Sequence, residues 1–199
     1  MSPASLTAEA DLEAPAVQAP RLAAGACFWQ ACAHDLLTVR LVLVPHSKIG
    51  VDLWWNRTGG PSDVQLVFGL YGDAVELGSL RGNGFDAPQF HRQGFGTFAV
   101  NIAVQALQSA CRPGLPVHGV LSNTAETALP AIQQQVLEGN RREFWRRFGL
   151  EVVTRGSPSL DYLRGRVESL RLVRNGLMAG QFPRCVPLGD FSRARPQGF

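Results

Sequence analysis

The stretch that decides the fold is HRQGFGTFAVNIAVQAL, residues 91–107, in which a basic, glycine-bearing turn runs directly into an apolar segment of helical length. Gly94 and Gly96 flank Phe95 where that segment begins. The first N–H groups of a helix lack acceptors within the helix and carry the positive end of its dipole, so such a turn suits a pyrophosphate, and Arg92 adds a positive charge. The stretch therefore predicts either a phosphate cradle or the close-packed start of a buried helix.

Strand-like patterns on both sides of this helix predict a mixed α/β domain. The clearest signal is a pair of β-rich runs flanking Gly72-Asp73, which is typical of a tight antiparallel hairpin. A helix closed by Gly149 and interrupted by Pro130 is expected near the C-terminal end. The predicted order is a short helix at 21–37, strands at 38–45, 50–56, 64–71 and 74–80, the helix at 94–110, a strand at 117–122, a helix at 124–149, and strands at 150–154 and 162–173.

The chain divides into three parts by composition. Residues 1–20 are rich in Ala, Pro, Ser and Glu and predict a flexible leader, whereas 181–199 predict an irregular tail. Residues 21–180 predict a single domain. The N-terminus shows no secretory pattern and no apolar run is long enough to span a bilayer, so we expect a cytoplasmic protein that does not bind membranes.

Charge is distributed unevenly along the chain. Residues 1–140 carry seven basic side chains against eleven acidic ones, whereas 141–199 carry twelve arginines against five acidic groups. An arginine-rich third predicts an anionic partner, with a solvated surface as the alternative. The four cysteines are scattered and the histidines have no ligand-like spacing, so no metal site is expected.

Two common nucleotide fingerprints fit the 91–107 stretch poorly. The P-loop requires Gly-Lys-Ser/Thr, which is missing from this sequence. The dinucleotide fold requires three glycines after a strand of a βαβ unit, whereas here an antiparallel hairpin is expected to come first.

A third pattern fits better. Residues 86–107, DAPQFHRQGFGTFAVNIAVQAL, resemble the acyl-CoA-binding segment of the GNAT superfamily of N-acetyltransferases, whose usual form is V-x-P-x-x-(Q/R)-x-x-G-x-(G/A) followed by a helix. Pro88 matches the proline of that pattern, and Gly94 and Gly96 match its two glycines. Arg92, between Pro88 and Gly94, is a common choice at its position.

A second stretch supports the resemblance. FWRRFGLEVV, residues 144–153, resembles the later helix-F-Y-x-x-x-G-F-strand segment of the family, where Phe144, Gly149 and Leu150 fit. Between the two segments, VHGVLSN at 117–123 resembles the strand that splays from its neighbour to admit the pantetheine arm.

The resemblance spans residues 50–173 and implies a fold. That fold is GNAT-like: a central, mostly antiparallel twisted sheet flanked by helices, with a splayed strand pair at the CoA site. Two positions depart from the family pattern, His91 where Gln or Arg is usual and Asp86 where an apolar residue is usual.

The resemblance also implies the cofactor site. Acetyl-CoA would be the co-substrate, with its pyrophosphate on the backbone N–H groups of 92–97. The strand near 84–87 would pair with the pantetheine amides as an added strand does. The implied acetyl-CoA-binding residues are Asp86, Ala87, His91, Arg92, Gln93, Gly94, Phe95, Gly96 and Thr97.

The catalytic groups are less well defined by the resemblance. Glu76 is the best-placed carboxylate for a general base, although strand alternation would also let it face solvent. Trp145 stands at the Tyr position of the usual general acid and cannot act as one, which makes it either a site-edge packing residue or a sign of altered chemistry. Ser122 or water could serve instead, the CoA thiolate could leave unaided, or catalysis could be lost. Asn123 would orient a water or substrate, or cap the following helix.

The resemblance implies an N-acetyltransferase that moves an acetyl group from acetyl-CoA to a primary amine of a small molecule or macromolecule. Two alternatives stay open. The first is a non-catalytic GNAT-fold module that binds acyl-CoA or a partner protein. The second is a nucleic-acid-binding module that uses the arginine-rich third and no CoA. A homodimer is also kept open.

Overall fold

The computed structural model describes residues 27–34, 37–55, 61–82, 93–121, 129–154, 161–174, 188 and 192–193 of the 199-residue chain. In these ranges the elements are, in chain order, β1 (Cys27–His34), β2 (Leu37–Val44), β3 (Lys48–Trp55), β4 (Val64–Leu70), β5 (Val75–Gly82), α1 (Phe95–Ala110), β6 (Pro116–Leu121), α2 (Ala131–Arg147), β7 (Glu151–Val153), β8 (Asp161–Arg166), a 3-10 turn (Val167–Ser169) and β9 (Ser192–Arg193).

All nine described strands belong to one sheet, in the order β7-β8-β6-β5-β4-β3-β2-β1-β9. The described pairs are antiparallel except for β5 with β6, which run parallel with α1 as their crossover. The predicted hairpin is confirmed, because β4 and β5 pair antiparallel and Tyr71 donates its N–H to the Ala74 carbonyl at 2.9 Å. The predicted mixed α/β class with a mostly antiparallel sheet is therefore confirmed.

Helix α1 covers one face of the sheet, which we call the inner face, and lies across β3 and β4. Its apolar side chains are buried against those of the sheet, as the predicted buried helix requires. The core here excludes solvent-exposed surface, since Phe98, Ile102 and Leu107 from the helix and Val51 and Leu66 from the sheet are each at most 1% exposed. Burial of each such side chain stabilises the fold by roughly 1.5–3 kcal/mol. Neither described helix is long and apolar enough to cross a bilayer.

Helix α2 begins after Pro130 and ends at Arg147, two residues before the predicted Gly149. Gly149 has a φ of 90°, in the left-handed region where a side chain is strained. Its N–H donates to the Arg146 carbonyl at 2.9 Å, and Leu150 donates to the Trp145 carbonyl at 3.3 Å, which satisfies the last turn. The part of the predicted helix before residue 129 lies outside the described residues.

Two predictions at the ends of the sheet were wrong. Cys27–His34, expected within a helix at 21–37, is a strand paired with β2 over seven positions. Without β1, the backbone groups along that edge of β2 would lack partners. The strand predicted at 162–173 ends at Arg166, where Ser169 bonds back to the Arg166 backbone and closes a 3-10 turn.

The segment after this turn packs on α1 instead of extending the sheet. The fully buried Asn101 of α1 donates to the Val173 carbonyl at 2.8 Å and accepts from the Val173 N–H at 2.9 Å. Those two bonds give Val173 the partners that a strand would have supplied. In the predicted irregular tail, Ser192–Arg193 forms a short strand against β1, and the predicted leader at 1–20 lies outside the described residues.

Candidate functional site: the cleft between β5 and β6

The parallel strands β5 and β6 are paired at one end only. Their register runs from Val75 with Val117 to Leu77 with Gly119. Beyond Gly119, β6 pairs only with β8 among the described residues, while β5 continues to Gly82 along β4. Among the described residues, pairing of the two strands therefore ends at Leu77–Gly119, and we call the region between their carboxyl-terminal parts the cleft.

A bulge in β5 lies where the cleft begins. Leu66 and Phe68 of β4 are two residues apart, but their partners Leu80 and Leu77 are three apart, so β5 carries one extra residue. A Cβ added to Gly78 would lie 2.8 Å from the Val67 carbonyl oxygen, so the backbones approach closely there. Because bulges bend a strand and increase its twist, this one turns β5 at the point where it leaves β6.

The start of α1 has the backbone geometry of an anion-binding turn. Gly94 adopts φ 86° and ψ 1°, and the next residue, Phe95, is helical. Left-handed and right-handed residues in succession turn consecutive N–H groups toward one side, which forms a concavity suited to anions. The first turn of α1 carries no acidic side chain to oppose a phosphate.

The side chains of this turn face the protein. Phe95 is 6% exposed and meets Trp55 edge-to-face with ring centroids 5.6 Å apart, while Thr97 is 9% exposed. A Cβ added to Gly96 would meet Leu80 at 3.6 Å and Phe144 at 3.9 Å, in ordinary contact. The side chains of Phe95 and Thr97 are therefore directed into the protein, and a ligand at these two positions would meet backbone groups. Of the predicted acetyl-CoA residues, Gln93 to Thr97 are gathered here, and Asp86, Ala87, His91 and Arg92 lie outside the described residues.

Trp145 is a core residue. It is 5% exposed and packs edge-to-face on Phe144 at 5.0 Å, with Phe148 at 6.1 Å. Because Phe144 lies next to Gly96, this aromatic cluster links α2 to the start of α1. The position therefore has a packing explanation that needs no catalytic role. Ser122 and Asn123 lie outside the described residues.

Glu76 is exposed on the face of the sheet opposite α1, which we call the outer face. Its register neighbours are Gly69 on β4 and His118 on β6. The ring of Tyr71 lies over Gly69, where an added Cβ would be 3.0 Å from Cε2. The Tyr71 hydroxyl donates a hydrogen bond to Glu76, and this bond and the carboxylate charge raise the pKa of Tyr71. Glu76 is thus held one residue from the closed end of the cleft.

An ion pair between the partly exposed Arg142 and a buried carboxylate, beside the cleft, was not predicted from the sequence. Asp161, at 0% exposure, accepts from the guanidinium of Arg142, which also bonds Glu138 at 2.9 Å. The hydrogen bond to Asp161 raises the pKa of Arg142. Asp161 is the register partner of Leu121, so the pair ties α2 to the sheet beside the cleft mouth. Only the i,i+4 spacing of Glu138 and Arg142 was visible in the sequence as a signal.

Many arginines of the basic third bind the protein itself. Arg171 donates to the carbonyl oxygens of Arg147 at 2.8 Å and Arg146 at 3.3 Å, which caps α2. The further intramolecular contacts are Arg142 with Asp161 and Glu138, Arg147 with the Arg174 carbonyl, Arg164 with Glu151, and Arg166 with the Gly114 carbonyl. These contacts give a structural reason for several of the arginines that predicted an anionic partner.

Comparisons with protein-family models, curated proteins and solved structures found no match to this chain.

Proposed function

We propose that this protein has a GNAT-like fold and is an N-acetyltransferase that moves an acetyl group from acetyl-CoA to a primary amine. The observation that carries the proposal is the cleft. The cleft lies between β5 and β6, which are the one parallel pair in the described sheet. The helix that connects these two strands, α1, begins directly after the left-handed Gly94. This juxtaposition supports the proposal, because the part of β5 beyond Leu77 pairs with no described strand on the β6 side and lies in the same crossover as a turn suited to anions.

The ligand would use backbone groups along its whole length. The pyrophosphate would lie at the start of α1, at residues 92–97, held by N–H groups and the helix dipole. The pantetheine amides would pair with the edge of β5 that turns away from β6, as an added strand does. The acetyl thioester would then reach the closed end of the cleft near Leu77 and Gly119.

The transfer itself is direct. The nitrogen of the amine attacks the thioester carbonyl carbon, a C–N bond forms, and the C–S bond breaks with its electrons on sulfur. The nitrogen loses one proton to a base, and Glu76 is the carboxylate that the sequence suggests for this role. The thiolate gains one proton from water or from Ser122. Holding the two reactants in line lowers the barrier through the entropy already lost on binding.

A second function, binding of acyl-CoA without catalysis, is favoured by Trp145. Its indole is packed among aromatic rings and is no practical acid. Thiol release is the observation that separates the two functions, because a binding module would hold acetyl-CoA without consuming it.

The test is a melting-temperature titration with acetyl-CoA, CoA and dephospho-CoA, with free-thiol release followed in parallel. A ligand that binds only the folded state at 100 times its Kd stabilises by about 2.7 kcal/mol, or about 5–10 °C for a chain of this size. No rise with any of the three at millimolar concentration would overturn the proposal.

A matched pair of glycine variants locates the site. Gly94→Ala places a side chain at a left-handed φ and distorts the turn, so we expect a smaller rise with CoA as well as a lower starting Tm. Gly72→Ala, in the β4–β5 turn where an added Cβ meets nothing within 4 Å, keeps the full rise. Equal ligand-induced rises in both variants would move the binding site away from α1.

A further inference from the structure

A row of polar side chains crosses the outer face beside the closed end of the cleft. Glu76 on β5 is in register with His118 on β6, His118 with Arg164 on β8, and Arg164 with Glu151 on β7. All four side chains are exposed. Residues in direct register on neighbouring strands have Cβ atoms about 5 Å apart, so His118 stands between a carboxylate and a guanidinium.

The two charged neighbours of His118 are themselves fixed. Tyr71 bonds to Glu76 from the β4–β5 turn, and the hydrogen bond is strong enough to raise the pKa of Tyr71. Arg164 is turned toward β7, where its Nε and Nη2 lie 3.2 and 2.8 Å from Oε2 of Glu151. Among the described residues no hydrogen bond is made to the imidazole of His118, so its ring nitrogens are available at the surface.

His118 immediately precedes Gly119, whose register with Leu77 closes the cleft. Strand alternation places Gly119 toward the core and His118 on the outer face. A thioester at the closed end of the cleft would therefore have the His118 imidazole beside it, on the face that α1 leaves uncovered.

We propose that His118 is the proton acceptor for the attacking amine, which approaches over the outer face. The inference rests on the proposed acetyl transfer and deepens it. The amine nitrogen bonds to the thioester carbon, its extra proton passes to the unprotonated ring nitrogen of His118, and the thiolate leaves with the C–S electron pair. The imidazolium then returns its proton to water, and the thiolate is protonated by water.

The neighbours of His118 suit this role. The Glu76 carboxylate attracts a cationic amine toward the cleft, while Glu151 offsets the charge of Arg164. Histidine is the side chain whose charge ordinarily changes near neutral pH, which makes it an effective base for amines under physiological conditions. In this arrangement Glu76 acts through His118 as a positioning residue.

The test compares wild type, His118→Gln and His46→Asn. His46 is the matched control because it is exposed in the β2–β3 turn with a φ of 56°, a conformation that Asn tolerates. Thiol release from acetyl-CoA is measured at one fixed pH with spermidine and lysine methyl ester as acceptors, and the rate without protein is subtracted. The Tm rise with acetyl-CoA is recorded for each protein.

We expect His118→Gln to lower kcat/KM by about 10²–10⁴-fold. The Tm rise with acetyl-CoA should be the same in all three proteins, and His46→Asn should keep the wild-type kcat/KM. An unchanged kcat/KM in His118→Gln would overturn the inference, and so would an equal loss in both variants.

Failure of the proposed function has a different signature. Wild type that is stabilised by acetyl-CoA but releases no thiol with any acceptor would overturn the inference and leave a binding module. Wild type that acetyl-CoA does not stabilise would overturn the proposed function, and the role of His118 with it.

Discussion

Leu77 occupies the space that a side chain on Gly119 would need. A Cβ added to Gly119 would lie 2.6 Å from Cβ and 3.2 Å from Cδ2 of Leu77. These residues form the last rung of the parallel pair, so the cleft closes on a glycine that fits against a leucine. The contact depends on Cβ of Leu77, which cannot move away by a change of rotamer.

Gly119→Ala is therefore expected to separate the strands or displace Leu77, at a cost of about 1–3 kcal/mol in the free energy of unfolding. Gly50→Ala is the control, because that strand glycine would place its Cβ at 3.7 Å or more from its nearest neighbours. Urea unfolding of both variants measures the difference. Similar losses in the two would show that the close approach of Leu77 and Gly119 carries no special cost.

Gly149→Ala is expected to be the more severe glycine substitution. It combines a left-handed φ of 90° with a Cβ that would lie 2.0 Å from the Ser169 carbonyl oxygen. We expect a loss of about 3 kcal/mol or more, which lowers Tm by about 6–12 °C. Gly139→Ala, inside α2 with open space around it, should raise stability by about 0.5–1 kcal/mol. A scanning calorimeter distinguishes these opposite signs directly.

Arg142→Met should destabilise the protein by about 3 kcal/mol, because it leaves the Asp161 carboxylate buried without its charge partner. Replacing Asp161 by Leu in the same chain should recover most of that loss. Arg164→Met removes an ion pair to Glu151 that is more than half exposed, and should cost less than about 1 kcal/mol. Chemical unfolding of the four proteins tests the ranking. Equal costs for Arg142→Met and Arg164→Met would contradict a structural role for the buried pair.

Tyr71 should ionise at a higher pH than an ordinary tyrosine, whose pKa is 10.0, because its hydroxyl donates a hydrogen bond to the Glu76 carboxylate. The raised pKa favours the neutral phenol in the folded state. Its contribution to stability is therefore present below pH 10 and is lost as pH rises through the folded-state pKa. Ultraviolet titration of the phenolate in a Tyr162→Phe background isolates Tyr71, since the chain has two tyrosines.

Glu76→Gln removes the carboxylate from that titration. We expect the Tyr71 transition to move down toward its ordinary value, while Glu151→Gln, at the far end of the same row, leaves it in place. A transition that stays high in Glu76→Gln would assign the shift to something other than this hydrogen bond.

Local features of the chain were predictable because their causes are local. The apolar periodicity of 94–110 predicts α1, Gly72-Asp73 predicts the β4–β5 hairpin, and Gly149 predicts the end of α2. In each case the determinant is a side-chain period or a backbone conformation that lies within a few residues.

The candidate site was only partly predictable, since its geometry depends on register between distant segments. The sequence pointed to Glu76 and to the glycine turn at 94–96, but not to His118, which meets Glu76 through a crossover of more than thirty residues. The Asp161–Arg142 pair was hidden for the same reason, because it joins a strand to a helix that packs against it.

By itself the amino-acid sequence determined where α1, α2 and most of the strands form, because hydrophobic period and turn chemistry act over short stretches. Long-range contacts in the folded protein show that Cys27–His34 is a strand, that the described pairing of β5 with β6 ends at Leu77 and Gly119, and that His118 stands beside Glu76. Strand pairing satisfies backbone groups across long sequence separations, and a shift of one residue would turn His118 to the opposite face.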